Sequence, residues 1–175
     1  MQVVVWLAHY KPKQLVKHKL VPMIIEALCS LAAESAPDDH DEEDDDELPS
    51  KFATQALDDI ARSVASKHVL PSVRKFAQAY ILAAGTSQRI AACQVVAASA
   101  EGCCEGMRSS IDSLLPVLVQ GLGDSDAGVR AAALFGIGQF AGALQYRFPG
   151  TLSAATLQGH RCPGWAAATV VHCAQ

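Results

Sequence analysis

The densest chemistry in this sequence is a run of carboxylates. Asp38, Asp39, Asp41, Glu42, Glu43, Asp44, Asp45, Asp46 and Glu47 are nine of the chain's 18 acids, packed into ten positions interrupted only by His40. Like charges at this density repel, and nothing apolar lies among them to bury, so the run is expected as a loop. Such a field attracts a lysine- and arginine-rich partner. A purely solubilising insert is the alternative reading. Calcium fits poorly, because there are too many acids and no glycine at the sixth loop position. The second acidic motif, DSDAGVRAAALF from Asp124, places Phe135 where a bidentate glutamate belongs. Asp124 and Asp126 therefore read as turn and helix-start residues.

Other reactive side chains carry less. His160, Cys162, His172 and Cys173 have a spacing that matches no common structural zinc site. Adjacent Cys103 and Cys104 would make a strained disulfide and read as two thiols. Cys29 and Cys93 fall in apolar periodic segments, where cysteine behaves as a small hydrophobe, so a reducing, intracellular compartment is expected. There is no G-x-S-x-G, no phosphate-binding loop and no glycine-rich dinucleotide turn. The expectation is a non-enzyme without cofactor or metal. Lys11, Lys13, Lys17, His18 and Lys19 read as a solvated connection between helices.

The elements that must position the acidic run are helical. Thirty of the 175 residues are alanine and only 6% are aromatic. Alanine has the best helix propensity, and a β-sandwich would need more β-branched and aromatic residues. The net charge is −4, yet without the nine clustered acids the rest carries 14 bases against 9 acids, or +5. A mildly basic body with one anionic patch suits a basic protein partner better than nucleic acid. No apolar stretch is expected to reach the roughly 18 residues of a membrane span. The start, MQVVVWLAHYKPK, lacks the basic and small-residue flanks of a signal peptide.

One apolar template, i, i+3, i+4, i+7, i+8, i+11, fits six times, starting at residues 20, 53, 73, 92, 111 and 129. Five starts follow one another at 18 to 20 residues, and one gap of 33 exceeds the rest by about the length of segment 35–48. An acidic insertion thus interrupts an array of antiparallel helices. Pro71 is expected to open a helix, and Pro116 to kink one. Met1, Val4, Val5 and Ala8 give a shortened match, the second helix of a pair. A two-helix period near 38 fits HEAT or armadillo repeats. Within LLPVLVQGLGDSDAGVRAAALFGIGQFA, Asp124 in the turn and Arg130 six residues on suit the ladder that links HEAT units. The fold expected is an all-α HEAT-repeat α-solenoid, about three helical pairs plus a leading half-repeat.

The segments VKHKLVPMIIEALCSL, PDDHDEEDDDELPSKFATQALDDIA and VLVQGLGDSDAGVRAAALFGIGQFA resemble the importin-beta (karyopherin-beta) family of nuclear transport receptors. The likeness runs from about Val3 to Leu144, and its last two segments are the specific part. It implies a HEAT solenoid without enzymatic activity that shuttles between cytoplasm and nucleus. It also implies binding of basic cargo, the GTPase Ran and phenylalanine-glycine nucleoporins. An acidic loop within a central repeat is a family feature, and Asp38 to Glu47 takes that place. Family members are several times longer, and their first repeats, which carry much of the Ran contact, have no counterpart here.

The expected division is a solenoid over 1–144 with its acidic loop at 35–48, then an irregular or divergent tail over 145–175. That tail has no acids and fails the template. With both ends of the array uncapped, poor solubility or self-association is expected. Two other functions fit the same residues: a HEAT scaffold for complex assembly, and an acidic histone chaperone. A chaperone usually carries its acids in a terminal tail, whereas these interrupt a helical pair.

Overall fold

The structure, a computed structural model, describes residues 2–34 and 48–145. Its helices are α1 Gln2–Tyr10, α2 Pro12–Lys17, α3 Val21–Ala32, α4 Pro49–Ser63, α5 Ser66–Tyr80, α6 Thr86–Ala100, α7 Cys104–Leu122 and α8 Ala127–Gln145. No strand occurs among the described residues. Several starts follow from proline, which sits in the first two positions of α2, α3 and α4, where its missing N–H costs nothing.

Consecutive helices pair as α3 with α4, α5 with α6 and α7 with α8. Across pairs, α3, α5 and α7 contact in series and form one layer. The other layer is α1, α4, α6 and α8. In this arrangement α1 stands where the second helix of a preceding pair would be, as its shortened apolar match suggested. This is the HEAT solenoid.

Burial tests the template helix by helix. In α4 and just past it, Ala53, Ala56, Leu57, Ile60, Ala61 and Val64 are all buried. Along α6 and just past it, Ala92, Val95, Val96, Ser99, Ala100 and Cys103 are buried too. Ser99, the polar exception, donates its hydroxyl to the carbonyl of Val96 at 3.1 Å. In α5 and just past it, Val73, Phe76, Ala77 and Ile81 are buried as the template has them, but α3 and α7 depart from expectation. In α3 the buried residues are Val21, Ile25, Leu28, Cys29 and Ala32, while Leu20 and Met23 are exposed. In α7 they include Met107, Leu114, Val117 and Leu118, while Val119 is 55% exposed. Both helices are apolar in adjacent registers, so the spacing alone cannot choose between them.

Two further expectations are corrected. Pro71 does not open α5, which begins five residues earlier at Ser66 and keeps the proline on its exposed side. Likewise α8 contains a stretch, Ala127–Leu144, whose length of 18 residues and mean hydropathy of 1.3 suffice for a membrane span. Its alanines, Leu134, Phe135 and Ile137 raise that average. Val129, Ala133, Gly136 and Phe140 are nonetheless buried, and α8 packs on α6 and α7. Pro116 lies within a continuous α7, also on the exposed side.

Close approach depends on several glycines, Gly136 and Gly102 among them. A Cβ on Gly136 would stand 2.7 Å from Leu118 Cδ2, so its absence lets α8 settle on α7. At Gly102, between α6 and α7, a Cβ would collide with the backbone of Ala61 and Arg62 at the end of α4. No side chain fits there without moving main chain.

Candidate functional site

Arg89 and Arg130 are each the fourth residue of their helix, α6 and α8. Arg130 Nη1 donates to the carbonyls of Asp124 at 3.0 Å and Ser125 at 2.8 Å, in the turn just before α8. Arg89 Nη1 does the same one pair earlier, to Ala83 at 3.2 Å and Ala84 at 2.8 Å. Its Nε and Nη2 then reach across to the Asp124 carboxylate at 2.7 and 3.2 Å. Asp124 Oδ1 also accepts the Asp126 amide at 2.9 Å. Asp126 Oδ1 in turn caps α8 by accepting from Gly128 and Val129 at 2.8 and 3.1 Å.

The sequence-derived pair Asp124 and Arg130 therefore meets through a backbone carbonyl. The carboxylate's own partner is Arg89. The bidentate bond from Arg89 holds the Asp124 carboxyl below the usual carboxylate range, and raises Arg89 in return. Sequence reasoning missed Arg89. Its signal was there: Arg89 and Arg130 lie 41 apart at equal depth in equivalent helices, with Ala83 standing where Asp124 does.

The layer of α1, α4, α6 and α8 carries two grooves. The first, about 640 Å³ between α1 and α4, is lined by Trp6, His9, Tyr10, Phe52, Asp59 and Arg62 among others. Trp6 and Tyr10, one turn apart, bring their rings to 4.9 Å and stay more than half exposed. The second, about 690 Å³ across α4, α6 and α8, presents Gln55, Gln94 and Gln139 with Asp58, Glu101 and Phe135. Arg62 borders both, pairing with Asp58 at 2.9 Å and Glu101 at 3.0 Å. Burial pushes the Asp58 carboxyl up, against the pull of Arg62, whose own pKa rises through its bond to Asp58.

These surfaces can hold a polypeptide, with aromatic rings and amides for its backbone and carboxylates for its cations. Nucleophilic chemistry is poorly served. Burial pushes the thiols of Cys29, Cys93 and Cys103 up to about 12, about 11 and about 12, so the reactive thiolate is disfavoured. Cys103 and Cys104 are free thiols. The acidic run from Asp38 to Glu47 lies outside the described residues, as do His160, Cys162, His172 and Cys173. What the structure does describe is the frame of the run, the paired helices α3 and α4.

The model of the HEAT-like repeat family matches residues 86–140. Over 154 residues, 80% of this chain, the sequence is 32% identical to Importin-4 of Mus musculus and 30% identical to Importin-4 of Homo sapiens. These residues form a HEAT-repeat segment of the importin-beta family. The segment spans 14% of the length of those two importins. It is also 27% identical over 132 residues to a probable importin subunit beta-4 of Schizosaccharomyces pombe. Among solved structures, it resembles Kap121p bound to Pho4p, with a TM-score of 0.73 at 18% identity, covering 89% of this chain and 16% of that one. Kap121p bound to RanGTP gives a TM-score of 0.70 at 19% identity, over 82% of this chain and 16% of that one. The importin segment thus shares the karyopherin fold across most of its described length.

Proposed function

We propose that this chain acts as part of a nuclear import receptor, capturing lysine- and arginine-rich cargo through the carboxylates from Asp38 to Glu47. The observation that carries the reading is the 32% identity to Importin-4 over 80% of the chain. Structures of Kap121p with Pho4p, RanGTP and Nup53p support cargo, the GTPase Ran and nucleoporins as partner classes. The acidic run supports the cargo chemistry, because nine carboxylates in ten residues interrupt a body otherwise at +5. No reaction is needed for such work. Cargo is carried by shape and charge complementarity, and the receptor shuttles between cytoplasm and nucleus.

A pull-down of the full-length parent protein with GTP-loaded Ran and with nucleoporin repeats tests the receptor reading. Retention of both is expected. Retention of neither would place the chain among HEAT scaffolds instead.

A further inference from the structure

The grooves beside α4 carry Asp58, Asp59 and Glu101, but the cavities beside α5 are lined by no carboxylate. One, about 190 Å³, lies between α5 and α7 and is bordered by Ser66, Lys67, Arg74, Ser109 and Ser110. Its neighbour, about 440 Å³, adds Lys13, Lys17 and His68, and Lys67 lines both. We propose that these two cavities, which share Lys67, bind a phosphorylated serine or threonine set in an acidic peptide segment.

Lys67 and Arg74 are seven residues apart on α5, so they project from one face two turns apart and bracket the small cavity. Between them Leu70 and Pro71 form an apolar wall suited to the carbons of a side chain. The facing helix closes in because residue 106 is glycine. A Cβ there would stand 2.6 Å from Leu70 Cδ1 and 2.8 Å from Ser66 Oγ. Ser109 gives its proton to the Gly106 carbonyl at 2.8 Å, which leaves Ser66 and Ser110 as hydroxyl donors. No described carboxylate pairs with Lys67 or Arg74, whereas Arg62, Lys75 and Arg89 each hold one.

A phosphate suits this set. It carries about −1.5 to −2 charge and three acceptor oxygens, against two cations and two hydroxyls. Acidic residues following the phosphate would then meet Lys13, Lys17 and His68 in the larger cavity. Neither cavity offers a Phe, Tyr or Trp ring for base stacking, and His68 is the one imidazole between them, which disfavours RNA.

Fluorescence anisotropy on the whole 175-residue chain tests this, using a labelled peptide with one phosphoserine followed by glutamates. The phosphopeptide is expected to bind about tenfold or more tighter than its serine counterpart. Excess inorganic phosphate should compete. Lys67→Ala with Arg74→Ala should erase the preference, and Lys67→Arg with Arg74→Lys should restore most of it, at unchanged helical circular dichroism. Binding of a lysine-rich peptide should not change in either pair, which separates this site from the acidic run. Equal affinity for the two peptides, or a preference that survives the alanine pair, would overturn the proposal. So would tighter binding of single-stranded RNA or of phosphatidylserine vesicles than of the phosphopeptide.

Discussion

Two arginines tie neighbouring helices of the α1, α4, α6, α8 layer together, one at each end of α6. At the amino end Arg89 grips Asp124 with two bonds, and the side chains are only 16% and 13% exposed. At the carboxyl end Arg62 reaches Asp58 and Glu101, with Arg62 52% and Glu101 69% exposed. The chemistry is the same, but the surroundings differ. Arg89 also satisfies two turn carbonyls that no helix can satisfy, so its loss would orphan backbone as well as charge. Arg62 bonds only carboxylates that water could solvate in its place. The first network holds successive repeats in register. The second is a surface that a partner can compete for.

The carboxyl end depends on fit more than on charge, and that gives the largest expected effect. Gly102→Val should press against the backbone of Ala61 and Arg62 and destabilise the chain by about 3 kcal/mol or more. Urea denaturation measures it. An unchanged midpoint would mean that the turn after α6 moves freely.

Next comes Arg89→Ala, which should lower the melting temperature by several degrees while leaving helical circular dichroism intact. Adding Asp124→Ala should cost little more, because the two residues share one network. The pH dependence sharpens the point. The Asp124 carboxyl is held below its unfolded value, so its contribution is present above about pH 4 and is lost as pH falls through the folded pKa. Asp124→Asn should flatten that acid limb.

Arg62→Ala should be the mildest, within about 1 kcal/mol and less at high salt. It also leaves Asp58 and Glu101 without their cation, so a lysine-rich peptide should bind slightly tighter, not weaker. If Arg62→Ala matched Arg89→Ala in melting temperature, the contrast between the two ends would fail.

Much of this was legible in the sequence, for identifiable reasons. In α4 the apolar stripe is flanked by Lys51, Asp58, Asp59 and Arg62, so only one register buries no charge, and the template finds it. In α3 the run Leu20–Val21–Pro22–Met23–Ile24–Ile25 is apolar all round, and the template settled one residue out. The acidic run announced itself by composition. Arg89 did not, because the Asp that would mark its turn is Ala83, and its partner arrives from 35 residues away. The grooves were hidden for the same reason: Arg62 and Glu101 are 39 residues apart, and only stacking joins them.

We propose the carboxylates from Asp38 to Glu47 as the cargo-capturing part of this importin-family segment. Replacing all nine by serine, asparagine or glutamine and measuring the anisotropy of a labelled lysine-rich peptide tests it directly. The native chain should bind tightly at about 50 mM salt and lose affinity steeply as screening grows. The neutralised chain should lose most of that binding with its helical circular dichroism unchanged. Equal affinity of the two chains at low salt would contradict the account and leave the run a spacer.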